Sequence, residues 1–258
     1  MIDPRTIDLD ALNSATKYPS ISTYHELDKK NGGLLETATE FAGEVILTEK
    51  VDGTNSRLII FPTGDYLIGS REELLHARGD LIANPALGIV DALRDLADRI
   101  TPPDEGVRVY YLEVYGGKVT GASKQYTGQR TVGYRMFDVA DVPGSLMGWD
   151  RARISAWREE GGQSFLPEDA LHVVADKEQI PLTPRLGAIN AADLPSGIAP
   201  MRDFLAERLP STRVALDDGA GGRPEGIVLR SVDRSVIAKA RFTDYERTLK
   251  RRDSGRKK

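Results

Sequence analysis

The sequence predicts an α+β fold in which antiparallel sheets are flanked by helices and one stretch forms a partly helical insertion. Short segments rich in β-branched and aromatic residues are grouped in three runs, at 44–70, 107–139 and 224–242. A strongly amphipathic segment lies between the first two runs, so strands and helices do not alternate regularly. This grouping favours an α+β arrangement over a doubly wound parallel sheet.

The first run contains three short strand-like segments, EVILTEK, SRLIIF and DYLIGS, within residues 44–70. They are separated by DGTN and PTG, which contain the Gly, Asn, Asp and Pro residues typical of tight turns. We therefore expect an antiparallel meander in which DGTN closes the first hairpin.

A helix and two longer strands are predicted next. Apolar residues recur at helical spacing through PALGIVDALRDLADRI at 85–100, with charged residues between them. Pro102 and Pro103 end this helix. The segments VRVYYLEVYG at 107–116 and TVGYRMFDV at 131–139 are predicted strands, and a Gly- and Ser-containing segment joins them.

The chain of 258 residues is predicted to form one domain over residues 1–246. Within that domain, residues 141–210 contain scattered Pro and Gly and two short helical stretches, near 150–160 and 200–209. We expect this part of the chain to be a helical or irregular insertion.

The C-terminal part combines a predicted hairpin with a basic tail. The hairpin is formed by PEGIVLRS at 224–231 and SVIAKARF at 235–242. Residues 247–258 contain seven Lys or Arg residues and one Asp, so this tail carries +6 and the rest of the chain −10. Such a tail is typical of an arm that binds a polyanion and equally of a solvated terminus, and we expect it to be disordered.

Composition excludes several classes of protein. The chain has no cysteine, which excludes disulfides, thiolate metal sites and a cysteine nucleophile, and its three histidines argue against a histidine metal site. No apolar run reaches the roughly 18–20 residues that span a bilayer, and the acidic start does not resemble a signal peptide. A cytoplasmic protein without membrane association is expected. Motifs of P-loop, Rossmann, zinc protease and serine hydrolase sites are absent from the sequence.

The segment EKVDGTN at 49–55 contains a candidate nucleophile. Alternation along a strand puts Lys50 and Asp52 on one face and Val51 on the other. A lysine amine becomes nucleophilic when burial or a nearby cation promotes loss of its proton, and Gly53 lets a ligand approach the backbone closely. Taken alone, the pattern favours a plain Lys–Asp pair at a hairpin turn.

Further polar residues occur at the ends of strands or inside apolar segments. A buried carboxylate is costly unless it is paired or binds something, an aromatic residue can stack on a base, and cations on one strand face can meet an anion. The segments are Ser70-Arg71, Leu112-Glu113-Val114-Tyr115-Gly116, Phe137-Asp138-Val139, Glu225-Gly226-Ile227-Val228 and Lys239-Ala240-Arg241.

The order of these motifs resembles that of the covalent nucleotidyltransferases, the superfamily of ATP-dependent ligases and mRNA capping enzymes. The chain is most similar to the RNA ligase 2 family. Three features support this choice: the form EKVDGTN at 49–55, the upstream segment KYPSI at 17–21, and the extended FDV at 137–139. The resemblance covers roughly residues 17–250 and implies an ATP-grasp-like nucleotidyltransferase fold. Of the domains found in such ligases, it implies that this chain contains only the adenylyltransferase domain.

The resemblance also implies a role for each matching residue. Lys50 is implied to attack the α-phosphate of ATP, which releases pyrophosphate and leaves a lysyl-N-AMP, with Lys239 on the α-phosphate and Arg241 beside it. Glu225 is implied to engage the catalytic Mg²⁺ or Mn²⁺ ion. Further nucleotide contacts are implied for Glu49 and Phe137 at the adenine, Glu113 at the ribose, Arg71 at the ribose or a phosphate, and Asn55 at the reacting phosphate.

An ATP-dependent polynucleotide ligase is the leading interpretation. AMP would pass from the lysine to a 5′-phosphate end, and a 3′-hydroxyl would then attack with loss of AMP. RNA is favoured over DNA as the partner by subfamily likeness alone, and the ends could come from a nicked duplex or from broken strands. A separate end-healing protein is a further candidate partner.

Two departures from the family pattern bear on this interpretation. Arg230 and Arg241 stand where family members commonly have lysine, and arginine does not replace a lysine that exchanges a proton. The chain also ends 17 residues after Arg241, so we do not expect the C-terminal nucleic-acid-binding domain that fuller ligases have. We expect the basic tail or a partner to help present the ends.

Alternatives remain open at this point. The chain could be an end-binding protein that uses a ligase-like domain without sealing, or a DNA ligase of the same superfamily. Guanylyltransferases and NAD-dependent ligases fit less well, because those enzymes rely on additional modules. Coincidental motifs on an unrelated α+β domain are the remaining alternative.

Overall fold

The computed structural model describes residues 6–30, 32–83 and 88–255, and the chain divides into two compact units that each combine distant segments. Unit 1 comprises Met1–Pro19, Gly53–Ser123 and Gln129–Leu182, and unit 2 comprises Ser20–Asp52, Lys124–Gly128 and Thr183–Lys258.

Strands paired mostly antiparallel and helices beside them confirm the predicted α+β class. The strands are β1 (Ser22–Thr23), β2 (His25–Leu27), β3 (Leu34–Ala38), β4 (Glu44–Lys50), β5 (Thr54–Ile60), β6 (Tyr66–Ser70), β7 (Leu74–Ala77), β8 (Asp80–Leu81), β9 (Val107–Gly116), β10 (Val132–Val142), β11 (Ser164–Phe165), β12 (Arg185–Asn190), β13 (Gly226–Ser231) and β14 (Ile237–Arg241). The α-helices are α1 (Leu9–Thr16), α2 (Ile89–Arg99), α3 (Arg151–Glu159), α4 (Glu168–Glu178), α5 (Ile198–Arg208) and α6 (Phe242–Gly255), and short 3₁₀ helices cover Ser123–Gln125, Gly144–Gly148 and Ala191–Asp193.

Unit 1 is built on a seven-stranded antiparallel sheet with the order β11-β10-β9-β5-β6-β7-β8. One face of this sheet packs against α2 and α4, and the other packs against α1 and α3. Strand β9 is apolar at nearly every position because both of its faces are covered. Its one acidic residue, Glu113, is therefore an exception within a buried strand.

Unit 2 is built on a five-stranded sheet with the order β1-β14-β13-β4-β12, and β2 pairs with β3 beside it. Only the β1–β14 pair in this sheet is parallel. Alternate residues of the strands, among them Leu47, Ile227 and Ala240, pack against α5 and α6. The predicted C-terminal hairpin is confirmed as β13 and β14, which pair directly.

The expected meander over 44–70 is wrong at its first turn. Strand β4 pairs with β12 and β13 in unit 2, whereas β5 pairs with β6 and β9 in unit 1. The chain leaves unit 2 at Asp52 and enters unit 1 at Gly53. A turn-like sequence does not determine which strands pair, because each strand joins the partners that bury its apolar face.

Residues 141–210 differ from the expected insertion because they include strands as well as helices. Strand β11 pairs with β10, and β12 forms an edge of the unit 2 sheet. Helices α3, α4 and α5 account for the helical part of the expectation.

The expected disordered tail is also wrong for the residues described. Residues 247–255 continue α6, while residues 256–258 lie outside the described part of the chain. Tyr245, Thr248 and Leu249 recur at helical spacing, and the buried Thr248 hydroxyl accepts a hydrogen bond from the Leu34 amide at 3.0 Å. This packed face holds the helix while its basic residues point outwards.

The amphipathic helix is confirmed as α2, which begins at Ile89 and ends at Arg99. The predicted helical residues 85–87 lie outside the described residues. Within the described ranges, none of the helices combines the length and the hydropathy that crossing a bilayer requires.

Candidate active site

Lys50 and Glu225 form an ion pair at one end of the unit 2 sheet. Lys50 is the last residue of β4 and lies opposite Gly226 of β13, so Glu225, one residue earlier, comes beside it. Lys50 Nζ lies 2.7 Å from Glu225 Oε2, and the two side chains are 24% and 15% exposed. The pairing of β4 with β13 therefore brings together two motifs that lie 175 residues apart.

The Glu225 carboxylate occupies a poorly hydrated position. Burial raises its pKa above the ordinary value, and the positive charge of Lys50 opposes that rise. Asp52 raises the pKa further, and Arg241 lowers it. The charged groups around Glu225 thus include two cations and a second carboxylate. Cations can bind phosphate groups and carboxylates can bind a metal ion, so both kinds of ligand could be held here.

Lys239 and Arg241 lie on one face of β14, as their spacing predicts. The register aligns Arg241 with Gly226 and, through it, with Lys50, while Lys239 aligns with Val228 and Thr48. Ala238 and Ala240, between and beside them, are buried in the core on the opposite face. The Arg241 guanidinium donates to Asp244 at 2.7 Å.

The side chains of Glu49 and Lys50 lie on opposite faces of β4. Glu49 is buried, and by alternation its side chain lies on the core face of β4. Its carboxylate accepts a hydrogen bond from the Thr212 hydroxyl at 2.5 Å and another from the Arg213 amide at 2.8 Å. Glu49 therefore holds the segment that follows α5 against the sheet.

In unit 1, the register places Asn55, Glu113 and Arg135 side by side across three strands. Glu113 Oε1 accepts a hydrogen bond from the Gly53 amide at 3.0 Å. The Asn55 side-chain oxygen is buried and has no hydrogen-bond partner among the described residues. A buried acceptor without a donor costs free energy, so this oxygen is a candidate acceptor for a hydrogen bond from a ligand.

Sequence reasoning missed Arg135. Its Nε lies 3.4 Å from the Tyr115 hydroxyl, and its backbone is directly opposite Glu113. Alternation along β10 would have placed Arg135 on the face opposite to Met136, but its alignment with Glu113 depends on a strand register that sequence does not reveal.

Phe137 lies at a β-bulge in β10, where the register shifts between Met136 and Asp138. The bulge turns its ring towards Tyr18, with ring centres 5.0 Å apart, and Tyr111, at 6.3 Å. The Tyr18 hydroxyl donates to Asp138 at 2.9 Å. Phe137 therefore belongs to an aromatic cluster, and Tyr18 is the part of the upstream KYPSI segment that contacts it.

Arg71 lies in the exposed turn after β6. Its side chain is 57% exposed, and its Nε lies 3.6 Å from a carboxylate oxygen of Glu72. The neighbouring Ser70 pairs with Ser56, which follows Asn55 in β5. Arg71 thus lies near the same end of the sheet as Asn55, and its exposed side chain forms a surface ion pair.

Gly53 is a position where only a hydrogen atom fits. A Cβ atom there would lie 2.4 Å from the Val114 carbonyl oxygen and 2.9 Å from Glu113 Cγ. We expect Gly53→Ala to lower the free energy of unfolding by about 2–3 kcal/mol, because backbone atoms must move to accept the methyl group. Urea denaturation measures this loss. Gly121→Ala, where the added atom meets nothing within 4 Å, should stay within about 0.5 kcal/mol of wild type; equal losses would contradict the steric explanation.

The described residues contain no cluster of three or more His, Cys, Asp or Glu side chains placed to hold a metal ion. Mg²⁺ commonly binds through one or two carboxylates together with substrate phosphates and water. Glu225, with Asp52 close enough to affect its pKa, fits that kind of partial donor set.

Solved structures of RNA ligases resemble this chain in fold. An archaeal ATP-dependent RNA ligase is 16% identical with a TM-score of 0.53, and the match covers 89% of this chain and 49% of the other. A Naegleria gruberi RNA ligase variant with ATP and Mn is 12% identical with a TM-score of 0.52, covering 90% of this chain and 64% of the other. The chain therefore spans about half to two thirds of the length of these proteins.

Sequence comparison identifies the family. No curated protein matches the chain. The profile of the RNA ligase family matches residues 43–248, a range that includes EKVDGTN, the candidate site residues of both sheets and the first half of α6. With more than half of its length matched, this chain belongs to the RNA ligase family.

Proposed function

We propose that the protein is an ATP-dependent polynucleotide ligase that seals RNA 5′-phosphate and 3′-hydroxyl ends. The observation that carries the proposal is the Lys50 amine held 2.7 Å from Glu225 at a sheet end, with Arg241 in the same register row. Membership of the RNA ligase family supports the same activity. Lys50 is the proposed nucleophile.

In the first step, Lys50 Nζ attacks the α-phosphorus of ATP. The new N–P bond forms as the bond to the β-phosphate oxygen breaks, so pyrophosphate leaves and the amine loses its proton to solvent. Lys239 and Arg241, which share a face of β14, neutralise charge on the α-phosphate. Because the resting amine is paired with Glu225, attack requires that this pair opens.

The nucleoside contacts are proposed mainly for residues of unit 1. The buried oxygen of Asn55 supports a hydrogen bond from the nucleotide, and Glu113 beside it is assigned to the ribose. Phe137 is assigned to the adenine and Arg71 to the ribose or a phosphate. Glu49 is assigned to the adenine as well, although its carboxylate already accepts two hydrogen bonds.

Glu225 is the proposed metal-binding residue, and Mg²⁺ or Mn²⁺ the proposed cofactor. Burial raises the pKa of Glu225, and a cation beside the carboxylate favours its charged form. A divalent metal would supply charge neutralisation on the phosphates. The Naegleria gruberi structure with ATP and Mn supports use of a nucleotide and a divalent ion.

The later steps transfer AMP to an RNA 5′-phosphate and join it to a 3′-hydroxyl with release of AMP. We propose RNA as the partner, and a protein that prepares such ends as a further partner.

The test uses purified protein, free of bound AMP, with α-labelled ATP and Mg²⁺. We expect a covalently labelled chain after denaturation, and transfer of the label to nicked RNA with a 5′-phosphate, followed by sealing. GTP and NAD as labelled donors, and the same nick in DNA, serve as controls for donor and substrate. A folded protein that binds nicked RNA but takes label from no donor would contradict the proposal in favour of an end-binding protein.

The exposed basic face of α6 is proposed to contact the RNA backbone. Lys250 is exposed on this face, whereas Arg247 and Arg252 form ion pairs with Asp244 and Glu36. We expect Lys250→Gln to weaken RNA binding several-fold and to reduce the slope of log affinity against log salt by about 0.7–0.9, the value for one lost phosphate contact. Lys177→Gln on α4 is the control. Equal salt slopes for both variants would exclude this face.

A further inference from the structure

The backbone beyond Lys50 is held by a buried tyrosine, Tyr126, which lies outside the sequence motifs described above. The amide of Asp52 donates a hydrogen bond to the Tyr126 hydroxyl, with nitrogen and oxygen 2.6 Å apart. Tyr126 is completely buried, and Val51, between Lys50 and Asp52, is buried as well. Both hydrogen-bonded residues belong to unit 2.

Tyr126 is fixed by a second segment of unit 2. Its carbonyl accepts a hydrogen bond from the Leu216 amide at 2.8 Å. The Asp217 carboxylate accepts hydrogen bonds from the neighbouring Thr127 hydroxyl and, at 2.8 Å, from the Gly128 amide. Residues 124–128 and 216–222 are therefore joined at several points on each side of Tyr126.

Glycines allow these two segments to approach closely. A Cβ atom at Gly222 would lie 2.3 Å from Gln125 Cα, and one at Gly219 would lie 2.6 Å from Gly128 Cα. Only glycine permits such backbone contact. The Gly-rich stretch before Glu225 thus packs against the segment that carries Tyr126, which restricts where the tyrosine ring can lie.

The surroundings of the hydroxyl keep it protonated. Burial raises the pKa of Tyr126 well above its ordinary value, and the Asp52 amide opposes the rise. The carboxylates of Asp52, Glu49 and Glu225 add to it. The hydroxyl therefore stays neutral and accepts a hydrogen bond from the Asp52 amide. It does not exchange a proton with the carboxylates around it.

We propose that Tyr126 is a positioning residue for nucleotidyl transfer, because its hydroxyl fixes the chain two residues after Lys50 and so limits where the Lys50 amine can lie. The proposal rests on the proposed ligase function. On its N-terminal side Lys50 is held by the pairing of β4 with β13, but the ladder ends there. The Asp52–Tyr126 hydrogen bond supplies the missing restraint on the C-terminal side. Small misplacements of a reacting group are costly in rate.

The test compares Tyr126→Phe with Tyr245→Phe. Tyr245 is also a buried tyrosine of unit 2, and its hydroxyl lies 2.8 Å from His25 Nδ1, so the control loses a comparable hydrogen bond. For Tyr126→Phe we expect self-adenylylation at saturating ATP to slow by about 10- to 100-fold while the KM for ATP stays within about twofold. For Tyr245→Phe both values should stay within about twofold of wild type.

Hydrogen exchange of the protein without nucleotide provides a readout that does not depend on activity. The peptide containing the Asp52 amide should exchange at least about tenfold faster in Tyr126→Phe and unchanged in Tyr245→Phe, because a hydrogen bond of that amide is lost. Thr127→Val removes the bond to Asp217 and should show both effects more weakly, which provides a second variant if Tyr126→Phe does not fold.

The outcomes distinguish this inference from the function on which it rests. If wild type takes no label from ATP, the ligase proposal fails, whatever the exchange data show. If wild type is labelled and Tyr126→Phe is labelled at the same rate, the positioning role is overturned. A slower rate accompanied by an equal rise in KM, or by the same loss in Tyr245→Phe, would also overturn it.

Discussion

Replacing Lys50 with alanine is expected to abolish covalent labelling by α-labelled ATP, with a loss of at least about 10³-fold in rate, because the substitution removes the attacking amine. Lys50→Arg should be equally inactive. It keeps a cation beside Glu225, but a guanidinium stays protonated and cannot attack phosphorus. Gel detection of labelled protein after denaturation measures the effect.

Lys17→Ala is the matched control for this experiment. Lys17 forms an ion pair with Glu72 at 2.7 Å, the same distance as the pair of Lys50 with Glu225. The control should retain labelling within about twofold, since an exposed ion pair contributes little. Label on Lys50→Ala at the wild-type level would show that another residue is the nucleophile.

Replacing Glu225 with glutamine is expected to slow self-adenylylation by about 10²- to 10³-fold, the range typical of removing one preorganised electrostatic contact. The amide keeps the size of the side chain but loses the charge that pairs with Lys50 and is proposed to hold the metal. The concentration of Mg²⁺ that gives half-maximal rate should also rise. Single-turnover labelling over a range of Mg²⁺ concentrations measures both effects.

Glu246→Gln is the control, because Glu246 forms an ion pair with Arg223 at 2.5 Å in the same unit.

A pH series adds a test of the Glu225 environment. Because folding raises the pKa of Glu225, its contribution to stability is complete below about pH 4.3 and is lost as pH rises through the folded pKa. This part of the pH dependence should be missing in Glu225→Gln. In the labelling experiment, a half-maximal Mg²⁺ concentration that is the same for Glu225→Gln and wild type would show that Glu225 does not bind the metal.

Much of the candidate site in unit 2 was predictable because it depends on alternation along single strands. Lys239 and Arg241 share a face for that reason, and the hairpin that presents them follows from two β-rich segments joined by a short turn. The ordered motifs also indicated the family to which the profile assigns the chain.

Pairings between distant segments were not predictable. The sequence suggested that β4 and β5 form a hairpin, but they join different sheets, because strand partners depend on which apolar faces are buried together. For Glu49, alternation along β4 already directs the side chain away from Lys50, but its partners Thr212 and Arg213 belong to a distant segment and were not predictable. Residues 247–255 of the basic tail are part of α6 because Thr248 and Leu249 pack against unit 2, a contribution that counting charges overlooks.

By itself, the sequence determined the α+β class, the candidate nucleophile and the cations on β14, because composition and periodicity are properties of consecutive residues. Only the tertiary structure decided that Glu225 lies beside Lys50, that Arg135 lies opposite Glu113, and that Tyr126 holds the Asp52 amide. Each of these is a contact between segments far apart in the chain. Such contacts depend on strand register and backbone packing, which the order of residues does not reveal without the fold.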